Sequence, residues 1–588
     1  VNRFIRRLLS RMSTIRRKGL NYIQRGLLVV CLASGALVAQ AGQYWWAGDG
    51  ANLGGSGTWD TSSNKWRSGS ESGAFVAWPN GGSDEAVFTN AFGGTAGTVT
   101  LSGTNNASVL SFKTNAWTLS GGTLNMGSGA STITMANVPA NSHQTINSTL
   151  TGSGTLTVSG QATYGFGLLL TANNSAFTGK IVVNQTGNYF GLAVTNDNAL
   201  GAVPATYAAD AITLKNGAFL INSAATTVSV ATNRGIIFQS GGGLIYNRTS
   251  GSLVLNSPLV GSGNITCRGG TIFINATNNA YTGQFVVFAD GGTTVKPGAD
   301  NVFNHGPGVS SFYVTRYNGG TSLLDLNGYS QVLPALSWAG NGAATTRVID
   351  TLAAGKDVTL TLGDNNSNTA FDGHIRNTAG TLSLTKVGTG VQTLSGTNSY
   401  TGATSVVGGT LLIDHVVYTN GTLGALVLGG GSLSVYGGGA STNSSQIVGN
   451  PTFAAGASGI TVTNRGGNAT LTLGNAWIRA SGGVALINLT PGSGGTSTLK
   501  SSPPLTNGLI GGYVLVRDAA GTGFATTNAS GNVVRYTGAT TLDATAAAAD
   551  LTASANYVVS ASQSLIGSSA TQTVNSLEFS GTAALTSA

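Results

Sequence analysis

The sequence is poor in charged residues, histidine and cysteine. Charged residues make up 8% of its 588 positions, against about 25% in an average soluble domain. This scarcity of Glu, Lys and Arg excludes a coiled coil or a helix bundle. The presence of only 4 His and 2 Cys disfavours a metal domain built on those ligands. Because hydrophobic residues account for 41% and glycine for 89 residues, the composition indicates a long, nearly uncharged β protein with enough apolar residues for a core.

The formal net charge of +8 comes from the N-terminal segment alone. Residues 1–41 contain 8 of the 27 Lys and Arg residues and no Asp or Glu, which leaves 19 basic and 19 acidic residues in the rest. A nucleic-acid-binding protein needs a basic face to neutralise phosphates. We therefore predict no nucleic-acid partner.

The N-terminal segment 1–41 is typical of an export signal. Its basic run is followed by an apolar stretch, 26–38, and by the small-x-small sequence Ala-Gln-Ala. The apolar stretch is shorter than the roughly 20 residues that a membrane-spanning helix needs, which disfavours a retained membrane anchor. We expect cleavage after Ala41 and no transmembrane helix in the mature chain.

Removal of the signal leaves one cysteine. Cys31 lies within the signal, and the residue before it, Val30, is too large for a lipoprotein cleavage site. Cys267 is then alone, so no intramolecular disulfide can form. We expect Cys267 to be a small buried core residue.

Short runs of alternating apolar residues, separated by Gly, Ser and Asn clusters, predict many short β-strands. Three segments share one pattern, in which Asn and an aromatic residue are followed by Thr-Gly and a strand: 174–183, 279–287 and 398–406. Gly permits sharp corners, Thr and Val suit strands, and stacked corner Asn residues can hydrogen-bond to equivalent Asn residues above and below. We therefore predict a β-solenoid, with coils of about 20–25 residues and about 22–27 coils in all.

The segment 371–413, which includes Leu-Thr-Lys-Val-Gly-Thr-Gly and Asn-Ser-Tyr-Thr-Gly, resembles the autotransporter-associated β-strand repeat, also called the passenger-associated transport repeat. Degenerate copies lie near 152–183 and 261–295, and the Trp-rich start resembles the opening of large exported proteins that carry these repeats. The resemblance implies an all-β, right-handed parallel β-helix that is exported and displayed on, or released from, a Gram-negative-type cell. It also implies that the repeat assists stacking and secretion of the passenger and is not catalytic.

We predict four segments. Residues 1–41 form the signal peptide, 42–150 a Trp-rich N-terminal β region that caps the solenoid, 151–500 the β-helix with its best repeat at 371–413, and 501–588 a C-terminal β region. The last segment contains a Pro-Pro pair and an Ala-rich stretch, so we expect an incomplete solenoid there. The outer-membrane translocator of autotransporters is not recognised in this sequence, and we expect a fragment or another export route.

Candidate chemistry is sparse, and we predict no catalytic, cofactor-binding or metal-binding residues. Asp357, Asp364, Asp372 and Arg376 could form the groove of a polysaccharide lyase or hydrolase, since such enzymes need converging acids. The simpler interpretation is turn-forming Asp on solvated corners. The four histidines lack ligand spacing: they are His143, His305, His374 and His415.

Five of the eight tryptophans lie near the N-terminus: Trp45, Trp46, Trp59, Trp66 and Trp78. They could form a sugar-stacking platform, or they could cover the open edge of the first coil; the second interpretation is favoured.

The predicted function is that of an exported surface or secreted passenger with a structural or adhesive role, and not an enzyme. Its partners would be host or environmental glycans or cell surfaces. The alternatives are a polysaccharide-active enzyme on a β-helix and a glycan-binding module that uses the N-terminal tryptophans.

Overall fold

The structure is a computed structural model that describes most of the chain after the predicted signal. The described residues are 41–90, 94–139, 142–163, 166–317, 319–340, 343–416, 420–439, 442–489, 492, 494–542, 551–560, 562–565, 573–579 and 585–587. The predicted signal peptide, apart from its last residue, and the Ala-rich stretch 544–549 lie outside the described residues.

The described chain is almost entirely β-strand, and its two described 3-10 helices are Asp197–Leu200 and Ala344–Thr346. The first strands are β1 Gln43–Trp46, β2 Gly57–Trp59, β3 Trp66–Ser68, β4 Phe75–Val76, β5 Glu85–Phe88, β6 Thr98–Leu101, β7 Thr104–Asn106, β8 Val109–Phe112, β9 Thr118–Asn125, β10 Ser131–Val138, β11 Gln144–Thr151, β12 Leu156–Ala162, β13 Leu168–Leu170, β14 Ile181–Gln185, β15 Gly191–Val194, β16 Ala208–Lys215, β17 Ala218–Asn222 and β18 Val228–Val230. The next are β19 Arg234–Phe238, β20 Gly243–Asn247, β21 Ser252–Leu255, β22 Leu259–Gly261, β23 Ile265–Ile274, β24 Ala280–Tyr281, β25 Phe285–Pro297, β26 Phe312–Arg316, β27 Ser322–Asp325, β28 Gln331–Leu333, β29 Leu336–Ser337, β30 Arg347–Asp350, β31 Asp357–Leu362, β32 Thr369–Phe371, β33 His374–Ile375, β34 Thr381–Lys386, β35 Val391–Leu394 and β36 Thr404–Val406. The remaining strands are β37 Thr410–Asp414, β38 Asn420–Leu423, β39 Leu426–Leu428, β40 Ser432–Tyr436, β41 Ser444–Val448, β42 Pro451–Phe453, β43 Gly456–Thr463, β44 Ala469–Leu473, β45 Ile478–Arg479, β46 Gly483–Asn488, β47 Ser497–Lys500, β48 Val514–Asp518, β49 Gly521–Thr527, β50 Val533–Arg535, β51 Thr540–Leu542, β52 Asn556–Val559, β53 Gln563–Leu565, β54 Ser576–Phe579 and β55 Leu585–Ser587.

The strands stack in parallel, coil upon coil, into three long faces. The first face runs β1-β5-β8-β10-β12-β14-β16-β19-β22-β24. The second includes β11-β13-β15-β17-β20-β23-β25-β26-β29, and the third includes β18-β21-β23-β25-β27-β30-β33. Three further parallel sheets repeat this arrangement: β28 to β45, β32 to β48, and β38 to β47. The predicted all-β solenoid is confirmed, while its right-handed sense stays a prediction.

Long strands turn the corner between the second and third faces without a loop. In β23 the corner is the pair Gly269 and Gly270, with φ of 71° and 40°, a left-handed region that a side chain with a Cβ rarely adopts. The glycine-rich composition is therefore the consequence of a chain that must bend sharply at every coil.

The coils are longer and fewer than predicted. The structure forms about 16 turns, whereas the sequence suggested about 22–27 coils. Leu384 pairs with Thr404, twenty residues on, but Ile181 pairs with Ile212, thirty-one residues on. The prediction was wrong because corner loops add residues that carry no strand signal, and because the chain leaves the parallel stack after β48.

Inward side chains from all faces form one continuous core. Alternate residues of a strand point inward, as in the buried pattern of Leu382, Leu384 and Lys386 along β34. The core runs from Trp46 to Val533. Burial of this apolar surface, at roughly 25 cal/mol per Å², supplies the main stabilisation of the solenoid.

Antiparallel strands cover the first coil. β1 pairs in parallel with β5 on one side and antiparallel with β3 on the other, and β3 pairs antiparallel with β4. Beneath them, the rings of Trp46, Trp59, Trp66 and Trp78 are buried and contact one another at 4.8–5.1 Å. Such a covering hides the backbone groups of an open sheet edge.

The parallel stack ends after β48. This strand pairs in parallel with β46, but β49 and β50 follow as antiparallel strands. β51, β52 and β54 then form a small parallel sheet of their own. In the part of the chain described, no helix is long and apolar enough to cross a membrane.

Candidate functional site

The asparagine of each repeat segment binds the backbone of neighbouring coils. Asn279 accepts a hydrogen bond from the Leu259 N–H at 2.6 Å and donates to the carbonyls of Ala276 and Val302, both at 2.7 Å. Asn279 is buried. One side chain therefore satisfies backbone groups on the coil before it, its own coil and the coil after it, none of which has water as an alternative partner.

The other two repeats use the same contact. Asn174 accepts from the Leu150 N–H and donates to the Ala199 carbonyl, each at 2.8 Å. Asn398 accepts from the Ile375 N–H at 3.2 Å. The prediction of stacked Asn pairs was thus wrong for the repeat residues, because the nearest partners of their amides are main-chain groups.

Asparagine pairs do occur at other corners of the solenoid. The Asn222 amide donates to the Asn247 side-chain oxygen at 2.8 Å, and the Asn275 amide donates to Asn256 at the same distance. Both kinds of contact join successive coils through side chains that carry no charge, which is why a nearly uncharged sequence can stack so regularly.

The aromatic residue of each repeat packs inside the coil. Phe177, Tyr281 and Tyr400 are each 1% exposed. The Tyr281 hydroxyl accepts from the Asn304 N–H at 3.1 Å, and the Tyr400 hydroxyl lies 2.9 Å from the Thr404 hydroxyl. Burial raises the pKa of both phenols well above its usual value. The aromatic ring of each repeat is therefore part of the solenoid core.

The glycine of each Thr-Gly pair lies against the preceding coil. A Cβ on Gly179, Gly283 or Gly402 would overlap a backbone carbonyl oxygen of that coil, which for Gly402 belongs to Leu382. Any larger residue would push two coils apart at this point. The repeat thus combines a buried polar bridge, a core ring and a close backbone contact.

Lys386 closes a corner within the best repeat. Its Nζ donates to the carbonyls of Val387 at 2.5 Å, Gly388 at 3.3 Å and Gly408 at 3.3 Å. The residue is buried, and burial lowers the pKa of its ammonium group to about 8. Because the third carbonyl belongs to the next coil, this cation also links two coils.

The four residues proposed as an enzymatic groove have separate partners. Asp364 accepts from the Gly306 N–H at 3.1 Å and lies 2.6 Å from the Nδ1 of His305. Asp357 is exposed at the start of β31. Among the described residues, no hydrogen bond or ion pair joins Asp357 to Asp364.

The other two members are held in ion pairs. Arg347, which is buried, donates through Nε to Asp372 at 2.6 Å. Arg376 donates to Asp350 at 2.7 Å, and Asp350 also accepts from the backbone and hydroxyl of Thr378 at 2.7 Å. These contacts fix loops between coils.

Several other predicted features have clear positions. Within the described residues no group of three or more His, Cys, Asp and Glu could hold a metal ion. Cys267 is fully buried, as predicted, and burial raises the pKa of its thiol. Of the five N-terminal tryptophans only Trp45 is not buried, so four of them present no ring to a sugar.

Sequence reasoning missed a second apolar cluster, separate from the solenoid core and located on the second face, here called the aromatic face. Its Ala193, Phe219 and Ile221 are buried, and its Tyr246 is partly exposed. The parallel registers align its side chains across six consecutive coils, a length of about 24 Å. A central row, with one residue from each coil at the same register position, consists of Leu169, Ala193, Ile221, Tyr246, Arg268 and Phe288. The neighbouring row contains Phe219, Leu244, Val286 and Tyr313.

Rings and guanidinium groups of the aromatic face touch from coil to coil. Tyr189 and Phe219 contact edge to face with centroids 6.4 Å apart, as do Phe219 and Tyr246. The Arg268 guanidinium lies 5.3 Å from the Tyr246 ring centroid and 6.0 Å from that of Phe288. Cation–π contacts of this kind hold the arginine flat against the surface.

A second arginine lies at the margin of the aromatic face. The Arg248 guanidinium lies 4.3 Å from the Phe166 ring centroid, and His143 packs against the same ring at 4.9 Å. Burial, and then the charge of Arg248, lower the pKa of His143.

The aromatic face includes an open groove of about 340 Å³. The groove is lined by the amides of Gln185 and Asn188 and by the apolar side chains of Tyr189, Phe219 and Leu244. Outward Leu, Phe and Tyr at alternate strand positions were the available signal in the sequence. The signal was not interpretable alone because the coil lengths, and hence the register of one strand on the next, were unknown.

Fold and corner contacts together define a parallel β-solenoid whose repeats join successive coils. The sequence profile of the passenger-associated transport repeat matches residues 384–413. The chain therefore carries this repeat, and the repeat predicted within 371–413 is confirmed.

The chain is also similar to a curated adhesin. Over 275 residues, 45% of the chain, it is 33% identical to the Adhesin BmaC autotransporter of Brucella suis biovar 1 (strain 1330). The matched part spans 7% of that protein's length. No solved structure matches the chain significantly.

Proposed function

We propose that the protein is an exported β-helix passenger that is displayed on, or released from, the cell surface and has a structural and adhesive role. The observation that carries the proposal is the passenger-associated transport repeat within a parallel solenoid, together with the 33% identity to an autotransporter adhesin. A rigid stack of coils suits adhesion because it presents a long surface away from the cell.

The repeats contribute to export by making each coil a template for the next. Successive parallel strands lie only 20 to 31 residues apart, as in the pairings of Leu384 with Thr404 and Ile181 with Ile212. A solenoid can nucleate at one coil and propagate by neighbour contacts. Corner contacts such as those of Asn398 and Lys386 would stabilise the first coils to emerge and would favour outward movement of the chain.

Export begins, in this proposal, with cleavage of the signal 1–41 after Ala41. The proposed segments are a capping region at 42–150, a repeat-bearing solenoid at 151–500 and a C-terminal β region at 501–588. The burial of four tryptophans under β3 and β4 supports the capping role. The change to antiparallel pairing after β48 supports a distinct C-terminal region.

The similarity to an adhesin favours a passenger without enzymatic activity. The alternative, a polysaccharide lyase or hydrolase, needs converging acids, but Asp364 and Asp372 engage His305 and Arg347 respectively. Those contacts support structural roles for both carboxylates.

The test is an adherence assay with the bacterium that produces the protein. Deletion of the gene should lower the number of bacteria bound to host cells or to an abiotic surface, and beads coated with the purified full chain should bind where uncoated beads do not. The adhesive role is rejected if the deletion strain binds as well as the parent strain and uncoated beads bind as well as coated beads.

A further inference from the structure

We propose that Lys296 and Asp325 form an isopeptide bond in the folded solenoid and so join two successive coils covalently. This modification goes beyond the proposed function and does not depend on the adhesive role. The proposal depends on three features of one site: a lysine against a buried carboxylate, two backbone N–H groups on one oxygen of that carboxylate, and a second carboxylate on the next coil.

The lysine and its partner meet because the coils stack. Val295 pairs with Leu324 in the parallel register of β25 and β27, and Lys296 and Asp325 are the next residues of these two strands. The Lys296 Nζ lies 2.8 Å from the Asp325 Oδ2, and the Asp325 side chain is 1% exposed. This contact lacks the direction of a hydrogen bond, and Oδ2 accepts no hydrogen bond from the described residues. A primary amine therefore lies directly against a carboxylate oxygen that no other described group holds.

The other oxygen of Asp325 is suited to carry developing negative charge. Its Oδ1 accepts hydrogen bonds from the Asn327 N–H at 2.9 Å and from the Leu352 N–H at 3.1 Å. Two preorganised backbone donors on one oxygen are the arrangement that stabilises the tetrahedral intermediate of acyl transfer. The two oxygens thus have different roles, since Oδ1 would carry the charge and Oδ2 would leave.

A second carboxylate follows on the next coil. Asp325 and Asp350 are direct partners in the register of β27 and β30 and are fully buried, and parallel strands lie about 4.8 Å apart. Asp350 accepts from the Arg376 Nε and from the backbone and hydroxyl of Thr378, each at 2.7 Å. An ionised carboxylate can accept about four hydrogen bonds. Asp350 therefore keeps the capacity to take up a proton from its neighbour and to return it.

The reaction releases water and needs no further reactant. A proton passes from the Lys296 ammonium to the Asp325 Oδ2, because charges are costly to maintain in a buried site. The neutral amine attacks Cγ, which forms the C–N bond and places negative charge on Oδ1. Asp350 accepts the proton that the nitrogen loses and returns it to Oδ2. The C–Oδ2 bond then breaks, water leaves, and Oδ1 becomes the carbonyl oxygen of the new amide.

A simple ion pair does not offer the same chemistry, as Lys180 and Asp210 illustrate. Their Nζ and Oδ2 atoms are 2.6 Å apart, but the two side chains are 53% and 49% exposed. Among the described residues, the hydrogen bond to Asp210 comes from Lys180 and not from a backbone N–H. Since this pair has neither the burial nor the backbone donors of Asp325, it should remain uncoupled and serves as an internal control.

The experiment measures the mass of the purified full chain after denaturation, followed by a tryptic digest. We expect the chain to be lighter than its sequence predicts by one water molecule, and the digest to contain a branched peptide that joins Lys296 to Asp325. A succinimide at an Asp-Gly pair such as Asp372 and Gly373 also loses one water, but it joins no peptides. A chain of unreduced mass, or a loss of water without the branched peptide, would overturn the proposal.

Three variants test the roles of the residues. Lys296→Arg keeps the positive charge but offers a guanidinium, which stays protonated, so it should retain the full mass. Lys180→Arg is the matched control and should be cross-linked like the wild type. Asp350→Asn, which cannot relay the proton, should show at least a tenfold smaller cross-linked fraction at the same time after synthesis. Hydrogen exchange would show that the variants fold.

Three results with these variants would overturn the proposal. One is a branched peptide from the same two positions in Lys296→Arg. Another is a loss of the cross-link in folded Lys180→Arg. The third is an unchanged cross-linked fraction in folded Asp350→Asn, because the proton relay would then not involve this carboxylate.

Discussion

Substitution of the corner asparagine Asn279 by alanine should open the solenoid locally. The variant loses the acceptor for the Leu259 N–H and the donor for the Ala276 and Val302 carbonyls. An unsatisfied buried polar group costs about 1–3 kcal/mol. Because the cavity left by the amide is next to a corner and can admit water, we expect a total of about 3 kcal/mol rather than the full sum.

The appropriate assay is hydrogen exchange followed by mass spectrometry. A solenoid of this length is stabilised coil by coil and does not unfold in one step, so a single melting temperature would dilute the effect. A cost of about 3 kcal/mol raises the exchange rate of local amides roughly 100-fold. The increase should be largest in peptides that contain Leu259 and Val302.

Asn264→Ala provides the matched control for Asn279→Ala. Asn264 also accepts a hydrogen bond from the next coil, from the Gln284 N–H at 3.0 Å, but this bond is exposed and water can replace it. We expect little change in exchange for this variant. Equal protection of Leu259 in Asn279→Ala and in the wild type would refute the role assigned to the repeat asparagine.

Three further substitutions test other contacts. Gly402→Ala should destabilise its coil by at least about 1 kcal/mol, which would appear as faster proteolysis of that coil. Gly439→Ala is the control, because a Cβ there meets no atom within 4 Å, and proteolysis should not change. Equal proteolysis of the two variants would contradict the close contact inferred at Gly402. Asp372→Asn should lower stability by up to about 3 kcal/mol because its arginine partner is buried, while Asp518→Asn, in a partly exposed pair, should cost under about 1 kcal/mol. If chemical denaturation gave similar losses of stability for Asp372→Asn and Asp518→Asn, the distinction between a buried and a partly exposed ion pair would be contradicted. Because burial lowers the pKa of Lys386 from 10.5 to about 8, the unfolded chain binds more protons between these values, so this lysine's contribution to stability rises as the pH rises from 8 to 10.5. In hydrogen exchange, with the two proteins compared at each pH, the amides of β34 should therefore gain protection in the wild type relative to Lys386→Met between pH 7.5 and 10. A pH-independent difference would contradict this.

The fold class could be predicted because its causes are local. Glycine at corners, β-branched residues between them and the recurring aromatic residue each reflect a requirement of a single coil. The number of coils could not be predicted, since the corner loops between Ile181 and Ile212 have no strand signal and no fixed length.

The contacts between coils were the least predictable feature. The same residue type, asparagine, pairs with another side chain at Asn222 and with backbone groups at Asn279, and the choice depends on which main-chain groups the corner leaves unpaired. The aromatic face was missed for a related reason. Tyr246, Arg268 and Phe288 are neighbours only through the register of three coils, which the sequence alone does not specify.

The central claim is that this solenoid is an exported passenger, and its cellular location tests that claim most directly. Intact cells of the producing bacterium can be treated with a protease and the chain followed by immunoblotting in cells and medium, with a periplasmic protein as the control for an intact outer membrane. We predict that the chain is degraded on intact cells or is found in the medium, and that its N-terminus begins at Gly42. A chain that stays protected inside intact cells and is missing from the medium would contradict the account.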